Sequence, residues 1–182
     1  MVVRPDQGEG YTGYRPAQIW VAMLGRPSKI ERLTDDDVWY GSPDWSPDGR
    51  TLAVHANRTA DRESVRYSIN KNFDIWAIDV ESKSIRAVTS GAGPEVSPRW
   101  SPDGKRLACL TIPRKGSHRD TFNLAIVAFG ESGPRTSVLF DHHGPGADVA
   151  PHPAPIFPLA DDCWDGDDHL IFAGERGAVA PS

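Results

Sequence analysis

The apolar runs of this chain are short, and polar turn residues separate them. They lie at residues 18–23, 30–33, 50–54, 74–79, 85–89, 106–110, 123–128 and 136–140, with a further run within 164–172. Runs of this length that are rich in β-branched residues and bounded by Gly, Pro, Asp and Ser are typical of β-strands. The pattern therefore predicts an all-β chain of short strands.

One five-residue motif occurs twice, 55 residues apart. Trp-Ser-Pro-Asp-Gly begins at Trp45 and recurs letter for letter from Trp100. Ser-Pro-Asp-Gly suits a type I turn whose last residue takes a positive φ, and such a turn closes a β-hairpin with a Gly bulge. A repeat at this period indicates an array of similar units. The residues that define this structural repeat are Trp45, Pro47, Asp48, Gly49, Trp100, Pro102, Asp103 and Gly104.

Each unit contains four predicted antiparallel strands, which is the pattern of a β-propeller blade. We predict full blades at residues 42–90 and 97–141, the end of a blade within 1–41 and the start of another within 155–182. Propellers close with at least about four blades. The expectation is one incomplete propeller domain over residues 1–182, with an open ring that is either truncated or completed by other chains.

Equivalent repeat positions predict the core. Trp20, Trp45, Trp76 and Trp100 recur in register, and a packing role between blades is a simpler explanation than a stacking surface for sugars or bases. The same core between blades is expected to hold Leu52, Val54, Ile75, Ile78, Leu107, Cys109, Leu124 and Ile126.

Composition narrows the function classes. The 182 residues are 38% hydrophobic, and the formal net charge of −5 is spread without a long single-sign run. This charge distribution lacks the basic patch that is typical of proteins that bind nucleic acid or an anionic membrane surface. No apolar segment approaches the ~20 residues that span a bilayer, and the start lacks a leader pattern. We therefore expect a cytoplasmic chain, in which Cys109 and Cys163 are reduced thiols.

The motifs resemble those of a known family. Trp-Ser-Pro-Asp-Gly followed by a basic residue and Leu-Ala is similar to the blade motif of TolB-type propellers. The additional segments 6–11, 56–59 and 72–76 resemble the N-terminal propeller of the prolyl oligopeptidase family of serine peptidases, in its acylaminoacyl-peptidase-like branch. The resemblance covers about residues 6–175. It implies a propeller that sits over an α/β-hydrolase catalytic domain and restricts access to short peptides.

Candidate catalytic and metal-binding groups are few. Gly130-Glu131-Ser132-Gly133 has the wrong spacing for the Gly-x-Ser-x-Gly nucleophile elbow, so we expect no catalytic residue in this chain. Ser90, Ser101 and Ser117 lack a recognisable base with a third orienting group. The cluster of His142, His143, His152, Asp161, Asp162, Cys163 and His169 matches no zinc spacing. We therefore expect neither a metal nor a cofactor.

Long charged connections form the other candidate site. Residues 55–72, 113–120 and 142–155 are expected on one face of the blades, with the Pro-Asp-Gly turns on the opposite face. Such loops either dock a partner or substrate or are solvated insertions. The residues assigned to this face are Arg58, Arg62, Arg66, Tyr67, Arg114, His118 and Arg119.

Three functions stay open at this stage. The first is a propeller segment of a serine peptidase, which would contact a catalytic domain or further blades and meet peptide substrate through the parent enzyme. The second is a non-enzymatic TolB-like module that binds a protein or peptide. The third is a truncated reading frame without an independent role.

Overall fold

The computed structural model describes residues 16–60, 72–112, 122–139 and 154–175, and the regular elements in these ranges are fourteen β-strands. The strands are β1 (Trp20–Met23), β2 (Lys29–Arg32), β3 (Tyr40–Trp45), β4 (Thr51–Ala56), β5 (Asp74–Asp79), β6 (Ile85–Ala87), β7 (Glu95–Trp100), β8 (Arg106–Thr111), β9 (Asn123–Gly130), β10 (Gly133–Val138), β11 (Ala154–Pro155), β12 (Trp164–Asp165), β13 (His169–Leu170) and β14 (Gly174–Glu175). The all-β prediction is confirmed.

The strands form two complete antiparallel sheets flanked by three two-stranded pairs. Sheet B is the four-stranded meander β3-β4-β5-β6, and sheet C is the meander β7-β8-β9-β10. Before them lies the hairpin β1–β2, and after them β11 pairs with β14 while β12 pairs with β13. Over the described residues the architecture is a partial β-propeller with an open ring, as the repeat predicts.

Three apolar layers hold the sheets face to face. The first lies between β1–β2 and sheet B, and its buried residues include Ile19, Leu33, Leu52, Val54 and Ile78. The second lies between sheets B and C and includes Ala53, Ile75, Val88, Leu107 and Cys109. The third lies between sheet C and the last strands and includes Val96, Ala108, Leu110, Leu124 and Leu159. Each sheet thus shares its core with its neighbours, as in other repeat architectures.

The Pro-Asp-Gly turns form as predicted. Gly49 and Gly104 both have φ of 70°, a conformation that costs an L side chain about 1–2 kcal/mol. The Gly49 N–H donates to the Ser46 carbonyl at 2.8 Å, and the Gly104 N–H donates to the Ser101 carbonyl at 2.9 Å. The turn serines are buried, and the Ser101 hydroxyl donates to Asp103 Oδ1 at 2.7 Å. The motif closes the hairpin between the first two strands of each sheet.

A second irregularity recurs in the innermost strands. The register of β3 against β4 shifts between Gly41 and Asp44, and the register of β7 against β8 shifts between Val96 and Arg99. Ser42 and Ser97 lie inside these shifts with φ of 46° and 55°. A β-bulge bends a strand and re-aims its side chains. The repeat therefore begins earlier than Trp45 and Trp100, as Ser-Pro-x-Trp.

The prediction that all four repeat tryptophans pack between blades is wrong for two of them. Trp76 and Trp100 are half-buried and pack in the first and second layers. Trp20 and Trp45 are 58% and 45% exposed, because the described residues place no neighbouring sheet over them.

The prediction of the aliphatic core residues is more accurate than that of the tryptophans. These residues are divided among the three layers rather than filling a single one. All of them are buried except Ile126, which is half-buried in the third layer. Cys109 and Cys163 are buried and free, as expected. No helix able to cross a bilayer occurs in the four described ranges.

Candidate functional site

An aromatic cluster lies at the end of the sheets opposite the Pro-Asp-Gly turns. His55, near the end of β4, is within 5.5 Å of the Trp39 and Phe73 rings and 6.5 Å of the Phe157 ring, measured between centroids. Gly41 makes this contact possible, because a Cβ there would lie 2.6 Å from His55 Nε2 and 2.7 Å from the Trp39 ring. The cluster thus brings together residues from four separate parts of the chain. They are Trp39 before β3, His55 in β4, Phe73 before β5 and Phe157 after β11.

His55 is a structural residue of this cluster. It is 4% exposed, and its Nδ1 accepts a hydrogen bond from the Ser97 N–H at 3.4 Å. Burial, aided by the positive charge of Arg99, lowers the pKa of His55 to about 4. The imidazole is therefore neutral near pH 7. Because Ser97 Oγ accepts from the Leu159 N–H at 3.0 Å, Ser97 joins sheet B to the last strands across sheet C.

Arg99 is a buried cation that holds the last strands. Its guanidinium donates to the Leu159 carbonyl at 3.0 Å and the Ala160 carbonyl at 3.2 Å, and it contacts Asp161 Oδ1 at 2.7 Å. In return, Trp164 Nε1 donates to the Arg99 carbonyl at 3.0 Å. A buried charge needs this many partners to offset its desolvation. Arg99 therefore acts as a connector rather than a free ligand-binding group.

Two carboxyl groups meet between sheets B and C at the same end. The Gly91 N–H donates to Asp74 Oδ1 at 3.1 Å and to Glu95 Oε2 at 3.3 Å. Burial raises the pKa of Asp74 to about 6, and the charge of Glu95 adds to this effect. Burial also raises the pKa of Glu95. The pair is thus partly protonated in mildly acidic solution.

Arg58 is the one described member of the predicted partner face, and it is engaged within the chain. Its guanidinium contacts Asp36 Oδ2 at 2.6 Å, hydrogen-bonds the Tyr40 hydroxyl and lies 5.2 Å from the centre of the Trp76 ring. The side chain is 29% exposed. These contacts tie the start of the long β4–β5 connection to β3, and a partner-docking role for Arg58 stays a prediction.

The other predicted site residues divide into two groups. Arg62, Arg66, Tyr67, Arg114, His118 and Arg119 lie outside the described residues, as do Ser117, His142, His143 and His152. The residues of the structural repeat are all described and lie at the far end of the sheets from the aromatic cluster. There the turn residues shape hairpins: hydrogen bonds from the Ser46 and Ser101 hydroxyls lower the pKa of Asp48 and Asp103.

The described part of the site holds strands together and contains no recognisable catalytic arrangement. The backbone N–H of Ser97, not its hydroxyl, meets His55, so this neighbourhood does not activate a nucleophile. Within the described ranges, no three His, Cys, Asp or Glu side chains come together as a metal-binding group. The arrangement can present a surface, with Ile156 and Phe157 exposed by 45% and 47% beside the aromatic cluster.

Sequence reasoning missed the residues that link the sheets. Ser42 and Ser97 share the 55-residue offset and both precede proline, which is a signal in the sequence. His55, Arg99 and the Asp74–Glu95 pair have no such signal, because their partners are distant in sequence. Their roles emerge only when the sheets stack.

No protein-family model matches the sequence. The chain is 33% identical over 137 residues to Dipeptidyl-peptidase 5 of Porphyromonas gingivalis, a match that covers 72% of this chain and 19% of that protein. It is 24% identical over 136 residues to an uncharacterized protein of Agrobacterium fabrum, covering 74% of this chain and 43% of the relative. The Dipeptidyl-peptidase 5 of Porphyromonas endodontalis is 29% identical over 83 residues, which is 45% of this chain and 12% of that protein. The chain thus spans less than half the length of each of these relatives.

Two solved structures are also similar. A protein assigned as TolB from Agrobacterium tumefaciens has a TM-score of 0.49 and 22% identity, and the match covers 62% of this chain and 37% of that one. TolB from Acinetobacter baumannii has a TM-score of 0.44 and 18% identity, with 61% and 24% covered. The β-propeller architecture itself rests on the sheet order described above.

Proposed function

We propose that the chain is a propeller segment of a serine peptidase and contributes substrate access control and domain docking rather than catalysis. The observation that carries the proposal is its 33% identity over 137 residues to Dipeptidyl-peptidase 5 of Porphyromonas gingivalis. The match covers only 19% of that protein, so a peptidase activity would belong to a part of the parent outside this alignment. The prolyl oligopeptidase-type motifs in the sequence agree with this assignment.

The docking surface belongs to the end of the sheets that carries the aromatic cluster. Both long connections between second and third strands leave from this end, since β4 ends at Ala56 and β8 ends at Thr111. Ile156 and Phe157 are exposed there, and Phe157 stacks on Phe122 with ring centroids 6.2 Å apart. An exposed apolar patch beside a rigid core favours contact with a protein or peptide.

The first experiment determines the sequence of the transcript that contains this reading frame, both upstream and downstream of it. We expect the same or an adjoining frame to encode an α/β-hydrolase domain with a Gly-x-Ser-x-Gly elbow followed by Asp and His. A transcript with no hydrolase on either side would contradict the proposal, and capture of an unrelated protein would then favour the binding-module alternative.

The second experiment tests access control in the parent protein, which would contain both this propeller segment and the hydrolase domain. Phe157→Asp should change the ratio of cleavage rates for a dipeptidyl chromogenic substrate and a long unfolded polypeptide. The control is Ala87→Asp, which places the same charge at an exposed position of the outer strand β6. Equal ratios in the wild type and both variants would remove the access role while leaving membership of a peptidase intact.

A further inference from the structure

The dipeptide Asp-Gly occurs three times in the sequence, at residues 48–49, 103–104 and 165–166. The first two copies lie in the turns between β3 and β4 and between β7 and β8, and the third lies where β12 meets its turn to β13. In Asp-Gly the backbone nitrogen of glycine can attack the aspartate carboxyl carbon, because glycine has no side chain to hinder the approach. The structure therefore shows the same reactive dipeptide in three surroundings.

Hydrogen bonds hold the aspartate carboxyl of the first copy. Asp48 Oδ1 accepts from the Ser46 hydroxyl at 2.6 Å and from the Arg50 N–H at 3.1 Å. The Gly49 N–H, whose nitrogen would attack, donates to the Ser46 carbonyl at 2.8 Å. The Ser46 hydroxyl also lowers the pKa of Asp48, and a carboxylate is attacked more slowly than a neutral carboxylic acid. Both reacting groups are thus bound to other partners.

The second copy repeats this arrangement. Asp103 Oδ1 accepts from the Ser101 hydroxyl at 2.7 Å and from the Lys105 N–H at 3.0 Å. The Gly104 N–H donates to the Ser101 carbonyl at 2.9 Å. The serine of each Ser-Pro-Asp-Gly turn therefore binds the carboxyl through its hydroxyl and the glycine N–H through its carbonyl.

The third copy lacks these restraints. Asp165 directly follows Trp164, and this is the position that Ser46 and Ser101 take after the tryptophans of the complete sheets. The serine that would hold the carboxyl is therefore replaced by the aspartate itself. Within the described part of the chain, no group donates a hydrogen bond to the Asp165 carboxyl and no acceptor binds the Gly166 N–H.

Exposure and glycine conformation do not distinguish the first copy from the third. Asp48 and Asp165 are both exposed. Gly49 and Gly166 have similar φ of 70° and 63°, and a Cβ at either glycine would have no heavy atom within 4 Å. The two copies differ in the hydrogen bonds of the carboxyl and of the glycine N–H.

We propose that Asp165 is the site at which this chain forms isoaspartate, and that the Ser-Pro-Asp-Gly turns protect Asp48 and Asp103 from the same change. In the first step the Gly166 nitrogen bonds to the Asp165 carboxyl carbon. The amide proton and the carboxyl hydroxyl leave together as water, and the product is a five-membered succinimide ring.

In the second step water opens the ring at one of its two carbonyl carbons. Breaking the bond from nitrogen to the side-chain carbonyl carbon restores aspartate. Breaking the bond to the main-chain carbonyl carbon leaves the chain running through the former side chain, which is isoaspartate. Water is lost and regained, so the conversion needs no oxidant, reductant or other co-reactant.

The modified turn is also a contact between β12–β13 and sheet C. The Asp103 N–H donates to Asp167 Oδ1 at 3.0 Å, and the Arg106 guanidinium donates to Asp168 Oδ1 at 3.1 Å and to the Asp167 carbonyl. Isoaspartate at residue 165 lengthens the main chain just before these acceptors. We therefore expect the conversion to weaken the contact with sheet C.

The test follows the three dipeptides in one sample of the intact, folded protein during incubation at pH 7 in water enriched in heavy oxygen. Each ring that opens takes up a heavy oxygen atom, and mass spectrometry of proteolytic peptides assigns the uptake to its residue. We expect uptake at Asp165 to exceed that at Asp48 and Asp103 by about tenfold or more, which is the rate effect of one charge-assisted hydrogen bond. Equal uptake at the three residues, or faster uptake at Asp48 or Asp103, would overturn the inference.

Unfolding in urea is the matched control, because it removes the hydrogen bonds and keeps the sequence. The three rates should then become similar, and a preference for Asp165 that persists would assign the cause to local sequence instead of structure. Ser101→Ala should raise the uptake at Asp103 and leave that at Asp165 unchanged, with circular dichroism to show that the strands are retained. Ser46→Ala tests the same effect at Asp48. Unchanged uptake beside both substitutions in folded protein would contradict the protective role of the serines.

A brief protease treatment near the midpoint of urea unfolding tests the effect on stability. Unfolded molecules are digested, so the surviving protein should contain less isoaspartate at residue 165 than the sample before treatment. Equal content would show that the conversion does not weaken the contact with sheet C.

The inference goes beyond the proposed peptidase role and can fail separately from it. The heavy-oxygen measurement involves no peptide substrate and no hydrolase domain, whereas the transcript measurement is independent of isoaspartate. Equal uptake in a protein that contains a hydrolase would overturn only the modification site. Selective uptake at Asp165 in a protein encoded without a hydrolase would overturn only the peptidase assignment.

Discussion

Asp44 Oδ2 accepts a hydrogen bond from the backbone N–H of Trp100 at 2.7 Å, which joins the innermost strand of sheet B to the innermost strand of sheet C. Asp44 directly precedes the first repeat tryptophan, Trp45, and the donor is the second, Trp100. The two inner strands are therefore connected by a side chain as well as by the apolar layer behind them.

Asp44→Ala should destabilise the chain by about 2 kcal/mol, because it leaves the Trp100 N–H without its charged acceptor. Urea unfolding at pH 7, followed by tryptophan fluorescence, measures the loss. Asp162→Ala, at an exposed position before β12, should cost less than about 0.5 kcal/mol. Equal costs for the two variants would show that the link between strands is not stabilising.

Asp74→Asn should remove a pH dependence of stability. Because the folded pKa of Asp74 is about 6, above its ordinary value of 3.8, its contribution is full below pH ~4 and is lost as the pH rises through about 6. The shift alone would correspond to roughly 3 kcal/mol, and because Asp74 is only half-buried, solvent screening reduces the expected stability difference well below that figure. Unfolding free energies at a series of pH values measure this difference. Asp79→Asn is the control, because backbone and side-chain hydrogen bonds from Ser82 lower that pKa.

His55→Gln should alter the pH dependence of the unfolding free energy in the opposite direction. The folded pKa of His55 is about 4, below its ordinary value of 6.5, so its contribution is full above pH 6.5 and is lost as the pH falls toward 4. In the wild type this loss opposes the gain from Asp74 over the same window. The two variants should therefore diverge in opposite directions from the wild-type pH profile. Parallel profiles would contradict both assignments.

Gly41→Ala should destabilise the chain by about 2 kcal/mol or more, because the added Cβ would overlap the His55 and Trp39 rings at 2.6 and 2.7 Å. Thermal unfolding monitored by circular dichroism tests this. Gly130→Ala is the matched control, since the nearest atom to its Cβ is 4.0 Å away. A similar loss at both glycines would show that the cause is strand flexibility rather than the close approach.

Trp100→Ala should cost about 3 kcal/mol or more, since Trp100 packs in the second layer and stacks on Phe129 with ring centroids 5.2 Å apart. Trp45→Ala should cost less than about 1 kcal/mol, because the Trp45 side chain is 45% exposed. Urea unfolding of the wild type and the two variants measures the difference, and equal losses would contradict the assigned burial.

The sequence predicts the structure within each four-stranded unit better than it predicts burial at the ends of the described array. Gly49 and Gly104 adopt the predicted conformation because turn chemistry is local. Ile75 and Leu107 are buried because strand alternation and repeat register agree. Trp20 and Trp45 are exposed because their burial requires a neighbouring sheet, which no local pattern supplies. The roles of His55 and Arg99 depend on contacts with Ser97 and Leu159, and these contacts arise only through tertiary packing.

Both long connections leave the sheets at the end opposite the Pro-Asp-Gly turns, while the hairpins that set strand register lie at the other end. Insertions and deletions at one end can therefore change what the molecule contacts without disturbing the turns. For protein engineering, this means that recognition segments can be exchanged between β4 and β5 or between β8 and β9, with the repeat motifs left untouched as a constant frame.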